Sequence, residues 1–198
     1  MNLSKDYYRK LRRELQEQLS KSRYEHTLGV EFTAASLAMC YEYDIDKARI
    51  AGLLHDCAKC IDDDKKLDEC ITNGIYVTPV EMRTGYLLHS KLGAFYAKKI
   101  YNIDDKEILD AILYHTTGRP GMTLLEKIIF VADYIEPSRD KAPNLTNLRK
   151  LAFININLCV ELILHDTIEY LKDTGEEIDE TSLLTYEYYK EKENNKHE

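Results

Sequence analysis

The stretch RYEHTLGVEFTAASLAMCYE, residues 23–42, decides the fold class. His26, Val30, Thr33, Ala34, Leu37 and Tyr41 recur at spacings of three and four, which gathers them on one stripe of a helix, and a histidine shares that inward stripe. Working outward, the same period marks a helix over about 4–20 through Tyr7, Leu11 and Leu15. Further helices are expected over about 46–58, 63–72, 79–83, 86–101, 104–115, 123–135, 145–172 and 181–192. Alternating runs bounded by turn residues are hard to find, so the expected class is all-α. Capping boxes, in which a hydroxyl and a Glu three residues later satisfy each other's free backbone N–H groups, mark helix starts. They pair Ser22 with Glu25, Thr78 with Glu81 ahead of Pro79, and Thr123 with Glu126.

A chain of 198 residues suits one domain with a real core. The expected division is an N-terminal helix over 1–20 packed on the domain, the domain itself over 21–185, and a charged tail over 186–198 that ends in KENNKHE. The net charge of −8 argues against a nucleic-acid partner, and an anionic substrate would need local cations or metal ions to reverse the field. There is no apolar signal-peptide core and no run of about 18 apolar residues, so no membrane partner and a cytoplasmic location are expected. Five cysteines, an odd number, fit free thiols in a reducing compartment. Cys57 and Cys60 form a CxxC, but it lacks a βαβ context and a second ligand pair, which sets the redox and zinc-knuckle readings aside.

The chemistry concentrates elsewhere. In AGLLHDCAKC, residues 51–60, an apolar segment ends in His55 and Asp56, and a buried carboxylate needs a partner, either a basic side chain or a cation. His89 shares a stripe with Leu92 and Tyr96, His115 shares one with Ile108 and Ile112, and Asp133 shares one with Leu125, Ile129 and Glu136. Singly, each could be a hydrogen-bonded core residue. Together, imidazoles and carboxylates turned inward from facing helices make a metal site, and mixed N and O donors suit Fe, Mn, Zn, Co or Ni rather than Ca. Arg23 lies a turn before His26, Lys59 follows Asp56 by three, and Arg139 follows the helix that Pro137 breaks. Residue chemistry alone reaches a metal-binding helical domain.

His26, His55-Asp56 and Asp133 resemble the H…HD…D signature of the HD-domain metal-dependent phosphohydrolases. Across about residues 20–185, the blocks RYEHTLGV, AGLLHDCAK, LLHSKLGA, HTTGRPGMTLLEKIIFVADYIEPSRD and TIEYL are similar to the bacterial HD-domain diadenosine tetraphosphatases that cut symmetrically. The resemblance implies a single-domain HD helical bundle that hydrolyses diadenosine tetraphosphate to two ADP with one or two divalent transition-metal ions. Iron ranks first among those metals, ahead of Mn, Co, Ni and Zn. It implies metal ligation by His26, His55, Asp56 and Asp133, with His89 and His115 for a second ion. Asp56, Lys59, His89 and His115 then stand at the reaction centre. Arg23, Lys59 and Arg139 face the polyphosphate. The sequence holds no Gly-rich phosphate loop, so the base is expected to rest on apolar side chains near the pocket mouth, with Ile178 in DTGEEIDETSL as the choice. The implied partner is a dinucleoside polyphosphate or nucleotide, and a homodimer is allowed. Two rivals stand beside this reading: an HD phosphohydrolase for other nucleotides or guanosine alarmones, and a metal-loaded nucleotide sensor without turnover.

Overall fold

In a computed structural model, which describes residues 4–194, helix α1 (Lys5–Gln18) starts at Ser4, whose hydroxyl accepts from the Tyr7 N–H, and lays Tyr8, Leu11 and Leu15 on the core. Helix α2 (Lys21–Cys40) starts at Ser20 rather than Ser22. The Ser20 hydroxyl accepts from the Arg23 N–H, so Ser22 lies inside the helix and the expected box with Glu25 does not form. Helix α3 (Ile45–Leu54) is capped by Asp44. Helix α4 (Asp63–Thr72) precedes α5 (Pro79–Arg83), where the Thr78–Glu81 box forms. A single 3₁₀ turn (Gly85–Leu87) leads into α6 (Leu88–Lys99), followed by α7 (Lys106–Leu113). Helix α8 (Leu124–Ile135) opens with the Thr123–Glu126 box, and α9 (Leu145–Leu151), α10 (Ile156–Thr174) and α11 (Glu180–Asn194) complete the chain.

Three boundaries differ from expectation. The helix expected over 46–58 ends at Leu54, because residues 55–60 continue as tight turns with Cys57 N–H donating to Leu54 O and Lys59 N–H to Asp56 O. The helix expected over 145–172 is two helices, because the Asn155 side chain takes the Leu158 N–H and starts α10 afresh. The boundary at 186 falls inside α11, whose Tyr189 is buried in the core. Of KENNKHE, residues 195–198 lie outside the described residues.

Helix α2 packs on α3 and α8, and α7 and α10 also pack on α8. Val30, Ala34 and Leu37 from α2, Leu53 and Leu54 from α3, and Ile128, Ile129 and Val131 from α8 are fully buried. Each large aliphatic side chain so buried contributes about 1.5–3 kcal/mol. Helices α2 and α3 approach closely at Gly52, where a Cβ would stand 3.1 Å from the Glu31 Cα. Glu31, itself wholly buried, accepts from Arg12 of α1 at 2.8 Å on each oxygen and from Arg49 of α3 at 2.8 and 2.9 Å. The Arg49 guanidinium also stacks over the Tyr8 ring at 3.5 Å, so three helices meet on one carboxylate.

No strand occurs among the described residues, and no helix among them is long and apolar enough to cross a membrane. The layout brings five places together: the second turn of α2, the turn after α3, the start of α6, the turn just past α7, and the last turn of α8.

Candidate metal centre

His55 and Asp56 follow directly on α3, where its last carbonyls have no helical partner. One of these, Gly52 O, lies 2.7 Å from His55 Nδ1. A carbonyl only accepts, so Nδ1 carries the proton and Nε2 faces inward with its lone pair. His115, just past α7, repeats the arrangement with Ile112 O at 2.7 Å, and His89 does so with Tyr86 O.

His26 differs. It sits in the second turn of α2, and its Nδ1 lies 3.0 Å from the Glu136 carboxylate, which comes from the end of α8.

The four Nε2 atoms surround Asp56. His26 and His55 stand 3.8 and 3.4 Å from Asp56 Oδ2, whereas His89 and His115 stand 3.3 and 3.6 Å from Asp56 Oδ1. Each carboxylate oxygen therefore faces its own imidazole pair. Asp133 adds its Oδ1 at 3.0 Å from His26 Nε2 and 3.8 Å from His55 Nε2. The atoms of His26, His55 and Asp56 lie within 4.8 Å of one another, as do those of Asp56, His89 and His115, and those of His55, His115 and Asp133.

The donors fit a cation. His26 Nε2 and His55 Nε2 are buried without a hydrogen-bond partner, even though carboxylate oxygens stand near them. Buried ring nitrogens are seldom left so, and a divalent ion on their lone pairs would satisfy both. Burial alone would raise the Asp56 carboxyl, but His55, His115 and His89 outweigh it and hold the group well below the usual carboxylate range. Burial likewise acts against ionised Asp133, and His26 and His55 outweigh it. Burial and the neighbouring Lys59 push His89 well below the ordinary imidazole range, which keeps it the neutral ligand a metal requires.

Cations ring the centre. Arg23 Nη1 lies 2.6 Å from Asp56 Oδ2, Arg139 Nη2 lies 3.0 Å from Asp133 Oδ1, and Lys59 Nζ lies 3.2 Å from His89 Nε2. Thr116 Oγ1 is 3.2 Å from the Nε2 atoms of both His89 and His115. A cavity of about 210 Å³ reaches the centre past Ser22, Arg23 and Ser138, and another of about 400 Å³ reaches it past Thr116, Tyr134 and Tyr170. Arg139 lines both.

The structure thus gathers His26, His55, Asp56, Lys59, His89, His115 and Asp133, with Arg23 and Arg139 on the two carboxylates. It does not bring Ile178 to either cavity. That residue is half-buried between α10 and α11, in a segment tied to Arg83 through Glu177 at 3.0 Å. Glu136 was legible only as a member of the Asp133 stripe; its bond to His26 spans 110 positions.

A family model described as HD domain matches residues 23–138, a span that holds every candidate ligand. The symmetrical bis(5'-nucleosyl)-tetraphosphatase of Bacillus subtilis is 37% identical over 174 residues, covering 88% of this chain and 92% of the relative. The enzyme of the same name from Halalkalibacterium halodurans is 39% identical over 168 residues, covering 85% and 89%. A crystal structure from Clostridium acetobutylicum, described as a predicted HD superfamily hydrolase involved in NAD metabolism, superposes with a TM-score of 0.90 at 41% identity. It covers 93% of this chain and 97% of that one.

Proposed function

This chain belongs to the HD domain family, and on that premise we propose that it is a metal-dependent phosphohydrolase that cuts diadenosine tetraphosphate symmetrically into two ADP. The observation that carries the reading is the division of labour at Asp56, whose two oxygens face separate imidazole pairs.

His26, His55, Asp56 and Asp133 would hold one ion, and Asp56, His89 and His115 a second. When bound, such ions neutralise phosphoryl oxygens and lower the pKa of water toward neutrality. Iron is our first assignment, following the family resemblance; the donor set of four imidazoles and two carboxylates also admits Mn, Co, Ni and Zn.

The chain's own side chains do the rest. Arg23 and Arg139 present guanidinium forks from either side, reversing at the site the field of a chain of net charge −8. Lys59, 3.2 Å from His89, presents its ammonium to the same phosphates. Water adds to one of the two central phosphorus atoms, the bond from that phosphorus to the oxygen it shares with the other central phosphorus breaks, and the second ADP leaves on that oxygen while the protons of the water pass to solvent. Either central phosphorus gives the same products, because two phosphates remain with each adenosine. Five free thiols and the acidic charge support a reducing, cytoplasmic setting without a nucleic-acid partner.

The test is chromatography of products from diadenosine tetraphosphate with Fe, Mn or Co added. Two ADP are expected. ATP plus AMP would refute symmetrical cleavage, and absence of turnover with every metal would favour the nucleotide sensor. The Clostridium neighbour's description puts NAD in the same panel, and faster hydrolysis of NAD would move the substrate assignment.

A further inference from the structure

Of the four imidazoles, three are oriented by the backbone of their own turn and one by a side chain 110 positions away. His55, His89 and His115 each lie within reach of the backbone carbonyl three residues earlier, and each sits at or just past a helix terminus, where such carbonyls can turn toward the ring. His26 has no such carbonyl. It lies inside α2, where the preceding carbonyls belong to the helix's own ladder. Its Nδ1 meets Glu136 Oε1 at 3.0 Å instead.

Glu136 is held for this from three sides. It ends α8 in an extended conformation, and its carboxylate accepts from the Ser138 N–H at 2.7 Å and from the Ser138 hydroxyl at 2.5 Å. Its backbone carbonyl accepts from Arg149 of α9 at 2.9 Å, and the same guanidinium bonds Ile135 O and Arg139 O. The space for the carboxylate comes from α2 itself. Gly29, one turn after His26, has no Cβ, and a Cβ there would stand 2.3 Å from Glu136 Oε2. The Glu136 side chain is only 1% exposed, and with His26 it forms part of the wall of the cavity of about 210 Å³.

We propose that Glu136 is the positioning residue for His26, and that Gly29 keeps the place where its carboxylate sits. Glu136 touches neither ion nor substrate; it holds the His26 proton on Nδ1 and so directs the Nε2 lone pair toward Asp56 and Asp133. The inference rests on His26 being a metal ligand, as argued above.

Two variants test it. Glu136→Gln keeps the shape but replaces one acceptor oxygen with a donor, which cannot serve both His26 and the Ser138 amide. Gly29→Ala leaves Glu136 in the sequence but takes its space. Calorimetric titration of the metal-free proteins with Mn should show about 10- to 100-fold weaker binding in both, the range for losing such a partner. Nitrogen NMR of the imidazoles should show His26 losing its Nδ1–H form while His55, His89 and His115 keep theirs, a selectivity that general loosening would not produce. Unchanged Mn affinity in Glu136→Gln, or an unchanged His26 signal, would overturn the proposal. Should the unsubstituted protein bind no metal, the proposed function falls, and the His26 signal still decides whether Glu136 sets the ring. Where Gly29→Ala does not fold, Glu136→Gln alone carries the decision.

Discussion

Glu31 and Asp56 are both buried carboxylates beside the α2–α3 contact, and the protein answers them in opposite ways. Glu31 is closed off: Arg12 and Arg49 give it four hydrogen bonds from groups that never lose their charge. Asp56 is surrounded by four imidazole nitrogens and one guanidinium, and two of those nitrogens have no hydrogen-bond partner. A carboxylate matched by arginines is finished by the protein alone. One matched by imidazoles with open lone pairs is finished by a cation.

The contrast can be broken in three places. Asp56→Ala should have the largest effect. We expect a loss of about 10³-fold or more in turnover, as when a group that assembles the reacting centre is removed, together with loss of bound metal by elemental analysis. Retained metal stoichiometry would make Asp56 a second Glu31. Glu31→Ala should do the converse. It strands two guanidiniums, and because Arg12 and Arg49 are partly exposed the cost belongs at the lower end of the buried-pair range, about 3 kcal/mol by urea unfolding. Metal content and turnover of the folded fraction should stay as they were; a tenfold drop in turnover at unchanged stability would erase the distinction. Arg139→Ala should be mildest, since this side chain is the most open of those at the centre. Steady-state kinetics should show KM for diadenosine tetraphosphate rising about tenfold, equivalent to 1.4 kcal/mol, with kcat little changed. A fall in kcat alone would place Arg139 on the transition state rather than on binding.

Much of this was legible in the sequence because the candidate ligands ride on stripes that must face inward for another reason. His26 shares its stripe with Val30, Ala34 and Leu37, and burying those three carries the histidine with them. His115 and Asp133 travel with Ile112 and Ile129 in the same way. What was not legible lay in short-range competition and in long-range pairing. Ser20 and Ser22 are both plausible caps by residue type, and the hydroxyl that reaches Arg23 N–H decides between them. Residues 55–60 keep helical spacing while their hydrogen bonds shorten to three-residue turns, a change that side-chain periodicity does not register. The Glu136–His26 bond joins distant helices, and next to Pro137 the glutamate reads first as the end of a helix.

That long bond also sets an order of events during synthesis. His26, His55, Asp56, His89 and His115 are all translated before Asp133 and Glu136. A nascent chain that has not yet reached α8 carries every imidazole of the centre, but lacks the second carboxylate and the group that fixes the His26 ring. If these residues hold an ion as proposed, its tight capture waits on the docking of α8 against α2, and an ion held in the finished centre would certify that the first two-thirds or so of the chain has been made and has closed.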